Sequence, residues 1–106
     1  MVYHNNEILK FIKETVNELL PGNKILLFGS RARDDFESDS DFDFMIITRK
    51  KYSPENKRDY RAQLRKKFAK YKIATDIIIQ SEEEINVKND IPGHIVMEAV
   101  LEGKAI

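Results

Sequence analysis

The segment LFGSRARDDFESDSDFDFMII, residues 27–47, governs how the rest of the chain is read. It leaves an apolar run at Gly29-Ser30, passes six acidic residues between Asp34 and Asp43, and ends in a second apolar run. Asp41 and Asp43 alternate with Phe42 and Phe44. Side chains alternate faces along a strand, so this spacing predicts both carboxylates on one face, about 6.6 Å apart along the backbone. The two phenylalanines then point the other way, into a core. Each pair of carboxylates held near 4 Å repels by about 4 kcal/mol at an effective dielectric near 20. Solubility alone does not explain acids placed against core residues.

On either side, KILLF (24–28) reads as a short buried strand, DFDFMIIT (41–48) as a second and KIATDIIIQ (72–80) as a third, with Asp76 among apolar neighbours. Asn5 or Asn6 is placed to cap a first helix carrying Ile8, Phe11, Ile12, Thr15, Val16, Leu19 and Leu20 at helical spacing, and Pro21-Gly22 stops it. Ser53-Pro54 supplies a cap and first turn for a helix running to about Tyr71, with Tyr60, Leu64, Phe68 and Tyr71 as its apolar stripe. Ser81 and Glu84 fit a capping box. IPGHIVMEAVLEG reads as a last helix closed by Gly103, and KAI as a terminal edge strand. The order α-β-(α)-β-α-β-α(-β) predicts an α+β fold: a small mixed sheet covered on one face by helices, forming a single domain over residues 1–106.

Composition removes several classes. Lys plus Arg and Asp plus Glu are equal at 18 each, so overall charge points to no partner. The chain has no cysteine, hence no disulfide and no thiolate metal site. MVYHNNEILK lacks the pattern of a signal peptide, and no apolar run approaches the ~18 residues that span a bilayer, so a cytoplasmic protein with no membrane role is expected.

Asp41, Asp43 and Asp76 together offer hard oxygen ligands on neighbouring strands, which suit Mg²⁺ or Mn²⁺ rather than zinc. Taken singly, each has an ordinary structural explanation: turn chemistry for the Asp-x-Asp pair, a backbone hydrogen bond for Asp76. Gly29-Ser30 after a buried strand lets backbone N–H groups approach an anion, Ser30 adds a hydroxyl, and Arg31 and Arg33 add donors suited to phosphate. A phosphate cradle on one strand end beside carboxylates on the next is what a Mg²⁺-nucleoside triphosphate requires.

With those residues in view, the chain resembles the nucleotidyltransferase superfamily related to DNA polymerase β, and within it the minimal nucleotidyltransferase (MNT) group. The pattern Gly-Ser, ten residues, Asp-x-Asp and a later Asp is met by Gly29-Ser30, Asp41-Phe42-Asp43 and Asp76. GSRAR, SDSDFD and the closing AVLEGKAI match the group in detail. One departure is Asp34-Asp35 where members carry glycine after SRAR, which adds negative charge near a triphosphate.

The resemblance implies transfer of a nucleoside monophosphate, with pyrophosphate leaving. Asp41, Asp43 and Asp76 would be catalytic and would hold two Mg²⁺ ions, with Asp76 alternatively serving as base. Gly29, Ser30, Arg31 and Arg33 would hold the triphosphate of ATP. It further implies that the acceptor is a HEPN-type toxin protein, adenylylated by this chain as its antitoxin. The competing readings are a catalytically weak module that binds nucleotide or partner, and a small-molecule adenylyltransferase needing a helper subunit. A nucleic acid acceptor and a homo-oligomer remain open. The basic stretch Lys57, Arg58, Arg61, Arg65, Lys66, Lys67 and Lys70 reads as a solvated helix face or as a docking face for RNA or an acidic partner. His4 and His94 are isolated in the sequence and are given no role.

Overall fold

In the computed structural model, residues 5–33, 40–88 and 95–106 are described. The elements run α1 (Asn5–Leu19), β1 (Lys24–Phe28), α2 (Ser30–Arg33), β2 (Phe42–Thr48), α3 (Pro54–Lys70), β3 (Thr75–Ser81), α4 (Glu82–Lys88), α5 (Ile95–Glu102) and β4 (Lys104–Ala105). All three expected strands form. β1 keeps its expected bounds, β2 begins one residue later at Phe42, and β3 begins three residues after Lys72, which turns the chain with φ 58°. Asn5 and Asn6 lie within α1 rather than ahead of it. The start proposed for the last helix at Ile91, the Asp34-Asp35 departure, His4 and His94 all fall outside the described residues.

The sheet order is β3-β2-β1-β4. β1 pairs antiparallel with β2 and with β4, while β2 and β3 are parallel, joined through α3. KAI does become an edge strand: Leu26 faces Ala105, and the Ile106 N–H donates to the Ile25 carbonyl at 3.1 Å. A mixed sheet follows from connection length, since a parallel pair needs a long crossover and α3 supplies it.

Alternation sorts the strand residues between two faces. Ile25 and Leu27, Phe42, Phe44 and Ile46, and Ile77 and Ile79 share the larger core with Ile12, Val16 and Leu20 of α1 and Leu64 and Phe68 of α3. Phe44, Phe68 and Ile12 are fully buried there. The Phe68 ring meets Phe44 edge-on at 5.9 Å and Phe11 at the same separation, which locks α1 to α3 over the sheet. The opposite face carries a smaller cluster, Phe28, Met45, Val96 and Ala99, with Leu26, Ile47, Ile78, Ile85 and Val100 packed against it. The expected helix-covered face is therefore the α1/α3 face, and α5 with α4 also closes part of the other.

Local signals account for the ends. Ser53 caps α3 by accepting from the Asn56 N–H at 3.1 Å, with Pro54 at the first helical position. The capping box of α4 is reciprocal: the Glu84 N–H donates to Ser81 Oγ at 3.2 Å, and the Ser81 N–H donates to Glu84 Oε1 at 2.9 Å. Glu84 Oε2 also takes the Lys57 ammonium at 2.6 Å, tying the start of α3 to the start of α4. Lys57 is thus buried and leaves the exposed basic face to the other residues.

Candidate active site

The carboxylates sit on the less covered face, at the sheet end beyond Phe28 and Met45. In the antiparallel pair Phe28 lies opposite Asp43, and in the parallel pair Asp43 lies beside Asp76. Residues opposite one another in adjacent strands share a face, so one register carries Phe28, Asp43 and Asp76 across three strands. Gly29 follows Phe28 directly, which brings the glycine-serine turn to the same end as the acids.

Gly29 adopts φ +71°, a region that residues with a Cβ avoid. A Cβ placed there would collide with Asp43 Oδ2. The absent side chain is therefore the space in which the Asp43 carboxylate lies. The Gly29 carbonyl accepts from the N–H groups of Ala32 and Arg33, both at 3.1 Å, closing the single turn α2.

Burial pushes the Asp43 carboxyl up to about 6 from 3.8, reinforced by the negative charges of Asp76 and then Asp41, and opposed by Arg33. Asp41 and Asp76 are exposed, Asp43 half-buried. The charges of Asp76 and Asp41 thus both reach Asp43. Among the described residues, however, no group of three or more His, Cys, Asp or Glu side chains is gathered closely enough to hold a metal ion as it stands. Pairing fixes the backbones only about 4.8 Å apart across the strands and about 6.6 Å apart along β2, and side-chain rotation decides whether the oxygens meet. The donor set itself, three carboxylates, suits a hard divalent cation.

Arg31 and Arg33 part company. In a helix, residues two apart project about 200° from each other, so one turns inward and one outward. Arg31 is buried; its Nε and Nη2 donate to the Ser40 carbonyl at 3.2 and 2.9 Å, and its guanidinium lies 4.2 Å over the Phe42 ring. It clamps the backbone just ahead of the Asp-x-Asp pair. Arg33 is exposed, pairs with Glu102 at 3.0 Å across to α5, and its charge reaches Asp43. Ser30 is half-buried at the start of α2. Sequence spacing does not reveal which arginine turns in. The Arg33–Glu102 and Lys57–Glu84 pairs, distant in sequence, carry no local signal either.

Comparison with known proteins bears on the family and the fold. A family model described as a nucleotidyltransferase domain matches residues 9–105. A Methanocaldococcus jannaschii protein assigned as a protein adenylyltransferase is 38% identical over 85 residues, which is 74% of this chain and 79% of that protein. Among solved structures, a nucleotidyltransferase-like protein from Sulfolobus solfataricus superposes with TM-score 0.57 at 24% identity, covering 76% of this chain and 70% of the other. A toxin–antitoxin structure with AMP-PNP gives TM-score 0.60 at 17% identity, covering 97% and 72%. At those identities the structures speak for the fold. With a family match spanning nearly the whole chain, and the glycine-serine turn and aspartates brought to one sheet end, the chain belongs to the nucleotidyltransferase domain family.

Proposed function

We propose that this chain transfers AMP from ATP to a hydroxyl on a partner protein, and that the partner is a HEPN-type toxin held in check by the modification. The observation that carries the reading is the register that sets Asp43 against Gly29 on one side and Asp76 on the other. The M. jannaschii relative supports protein as the acceptor. The fold shared with toxin–antitoxin structures, one of them with AMP-PNP, supports the toxin and the adenine nucleotide.

In this reading the acceptor oxygen attacks the α-phosphorus, the bond from that phosphorus to the bridging oxygen breaks, and pyrophosphate leaves. Asp41, Asp43 and Asp76 would hold Mg²⁺, which when bound neutralises phosphate charge and eases deprotonation of the attacking hydroxyl. Alternatively Asp76, exposed beside Asp43, would receive the hydroxyl proton as base. Gly29 and Ser30 present backbone and hydroxyl donors to the β- and γ-phosphates. Arg33 is the arginine on the solvent side for charge neutralisation, while Arg31 orients the strand mouth by holding Ser40.

The test is transfer of α-labelled AMP from ATP, with Mg²⁺, to the product of the adjacent reading frame. Label on that protein, abolished by Asp43→Asn, is the expected result. An unlabelled neighbour whose toxicity persists in the presence of this chain would overturn the reading.

A further inference from the structure

The β3 edge of the sheet is open among the described residues, and it lies beneath a row of arginines. The Phe42 N–H donates to the Ala74 carbonyl at 3.0 Å, which sets the phase of the parallel ladder. Residues 74, 76, 78 and 80 then direct their backbone groups at β2. The N–H and C=O groups of Thr75, Ile77 and Ile79 point away from the sheet, while the Ser81 N–H is already taken by Glu84. An edge of this kind is a template for another extended chain.

α3 packs over β3, and α1 lies along one flank of α3 through Phe11–Phe68, Phe11–Tyr71 and Lys67–Glu18. α1 buries Ile12, Val16 and Leu20 in the core cluster that also holds Ile25 and Leu27 of β1 and Phe44 and Ile46 of β2, so we take that flank of α3 to face the sheet interior. At about 100° per residue, Arg58, Arg61 and Arg65 fall on the opposite flank, the one overhanging the free edge, and span about 10 Å. None of the three makes an ion pair or side-chain hydrogen bond among the described residues. Below the sheet, the same edge presents exposed Asp76.

We propose that an extended acidic segment of a partner protein adds to β3 as a fifth strand, its carboxylates met by Arg58, Arg61 and Arg65. The two faces dictate its pattern. Side chains toward α3 must be acidic, and the alternate ones, which pass Asp76 and the half-buried Ile78, must not be. A nucleic acid would satisfy the arginines but not the outward N–H and C=O row, so the juxtaposition favours peptide. The inference is independent of the transferase reading.

Binding of a labelled peptide alternating glutamate and threonine, followed by fluorescence anisotropy with the full chain, tests it. Gathering the same glutamates into one block, or N-methylating alternate backbone nitrogens, is expected to weaken binding about tenfold, because charge and backbone must match together. The Arg58→Glu, Arg61→Gln, Arg65→Glu variant, checked for an unchanged circular dichroism spectrum, is expected to lose binding. Thr75→Pro removes an outward N–H and no ladder bond, and is expected to weaken the peptide alone. Equal binding of the blocked or N-methylated peptide would overturn the proposal. So would no peptide binding, or a uridine oligonucleotide that binds more tightly and depends on the arginines but not on Thr75.

Discussion

The Asp43 carboxylate occupies the space that a side chain at Gly29 would fill. The Gly29-Ser30 turn and the strand bearing Asp43 are thereby fitted to each other through a single missing Cβ. Gly29→Ala brings both a strained φ and a collision, and is expected to cost about 2 kcal/mol or more in denaturant unfolding. In an Asp43→Ala background the collision is gone, and the same substitution should cost only about 1 kcal/mol, the backbone strain.

Asp43 sets a pH dependence in the metal-free protein. Its carboxyl titrates near 6 when folded and near 3.8 when unfolded, so between those values the folded state binds the extra proton. The contribution to stability is therefore most favourable at and below the lower value, declines as pH rises through about 6, and stays reduced at neutrality. Allowing for solvent screening at this half-exposed group, the loss is about 1 kcal/mol. Thermal melts of Asp43→Asn from acid to neutral pH should lack that decline, and at neutral pH the variant should melt higher than the parent.

Mg²⁺ should raise the melting temperature of the parent chain at neutral pH by relieving the repulsion among Asp41, Asp43 and Asp76. Asp43→Asn should blunt that rise. Equal shifts in parent and variant would mean that the ion binds elsewhere.

Lys57 and Glu84 set the opposite dependence. Burial alone would raise the Glu84 carboxyl, but hydrogen bonds from Lys57 and Ser81 bring it down to about 2 from 4.5. A depressed carboxyl contributes stability above its unfolded value and loses it as pH falls through the folded one. Glu84→Gln should remove this acid-limb loss and lower neutral stability by about 2 kcal/mol, with Lys57 left buried without its anion. Lys57→Met with Glu84→Gln should recover part of that cost, measurable as a double-mutant cycle.

Arg31→Lys keeps the charge but loses the paired donors and the flat guanidinium over Phe42. It should cost about 1 kcal/mol in stability. AMP transfer should fall further than that figure implies, since Ser40 anchors the backbone from which Asp41 and Asp43 project.

Much of this protein is local, and local features are written in the chain. The strands announce themselves as apolar runs, α3 by Ser53-Pro54, and α4 by the Ser81/Glu84 box, because each depends on residues within one turn or one pleat. The alternation of Asp41 and Asp43 with Phe42 and Phe44 likewise fixes which side is core. The difference between Arg31 and Arg33 is not local: it depends on where Ser40 and Phe42 stand once β2 has paired.

Periodicity and turn chemistry act over a few residues, so the strands, the face bearing the acids and the glycine-serine turn are legible in the chain's linear order. That Asp43 lies against Gly29 and beside Asp76, that Arg31 turns inward, and that α5 with α4 covers part of the second face all emerge on folding. Strand register and helix docking are settled by packing between segments far apart in the chain, and no short stretch encodes them.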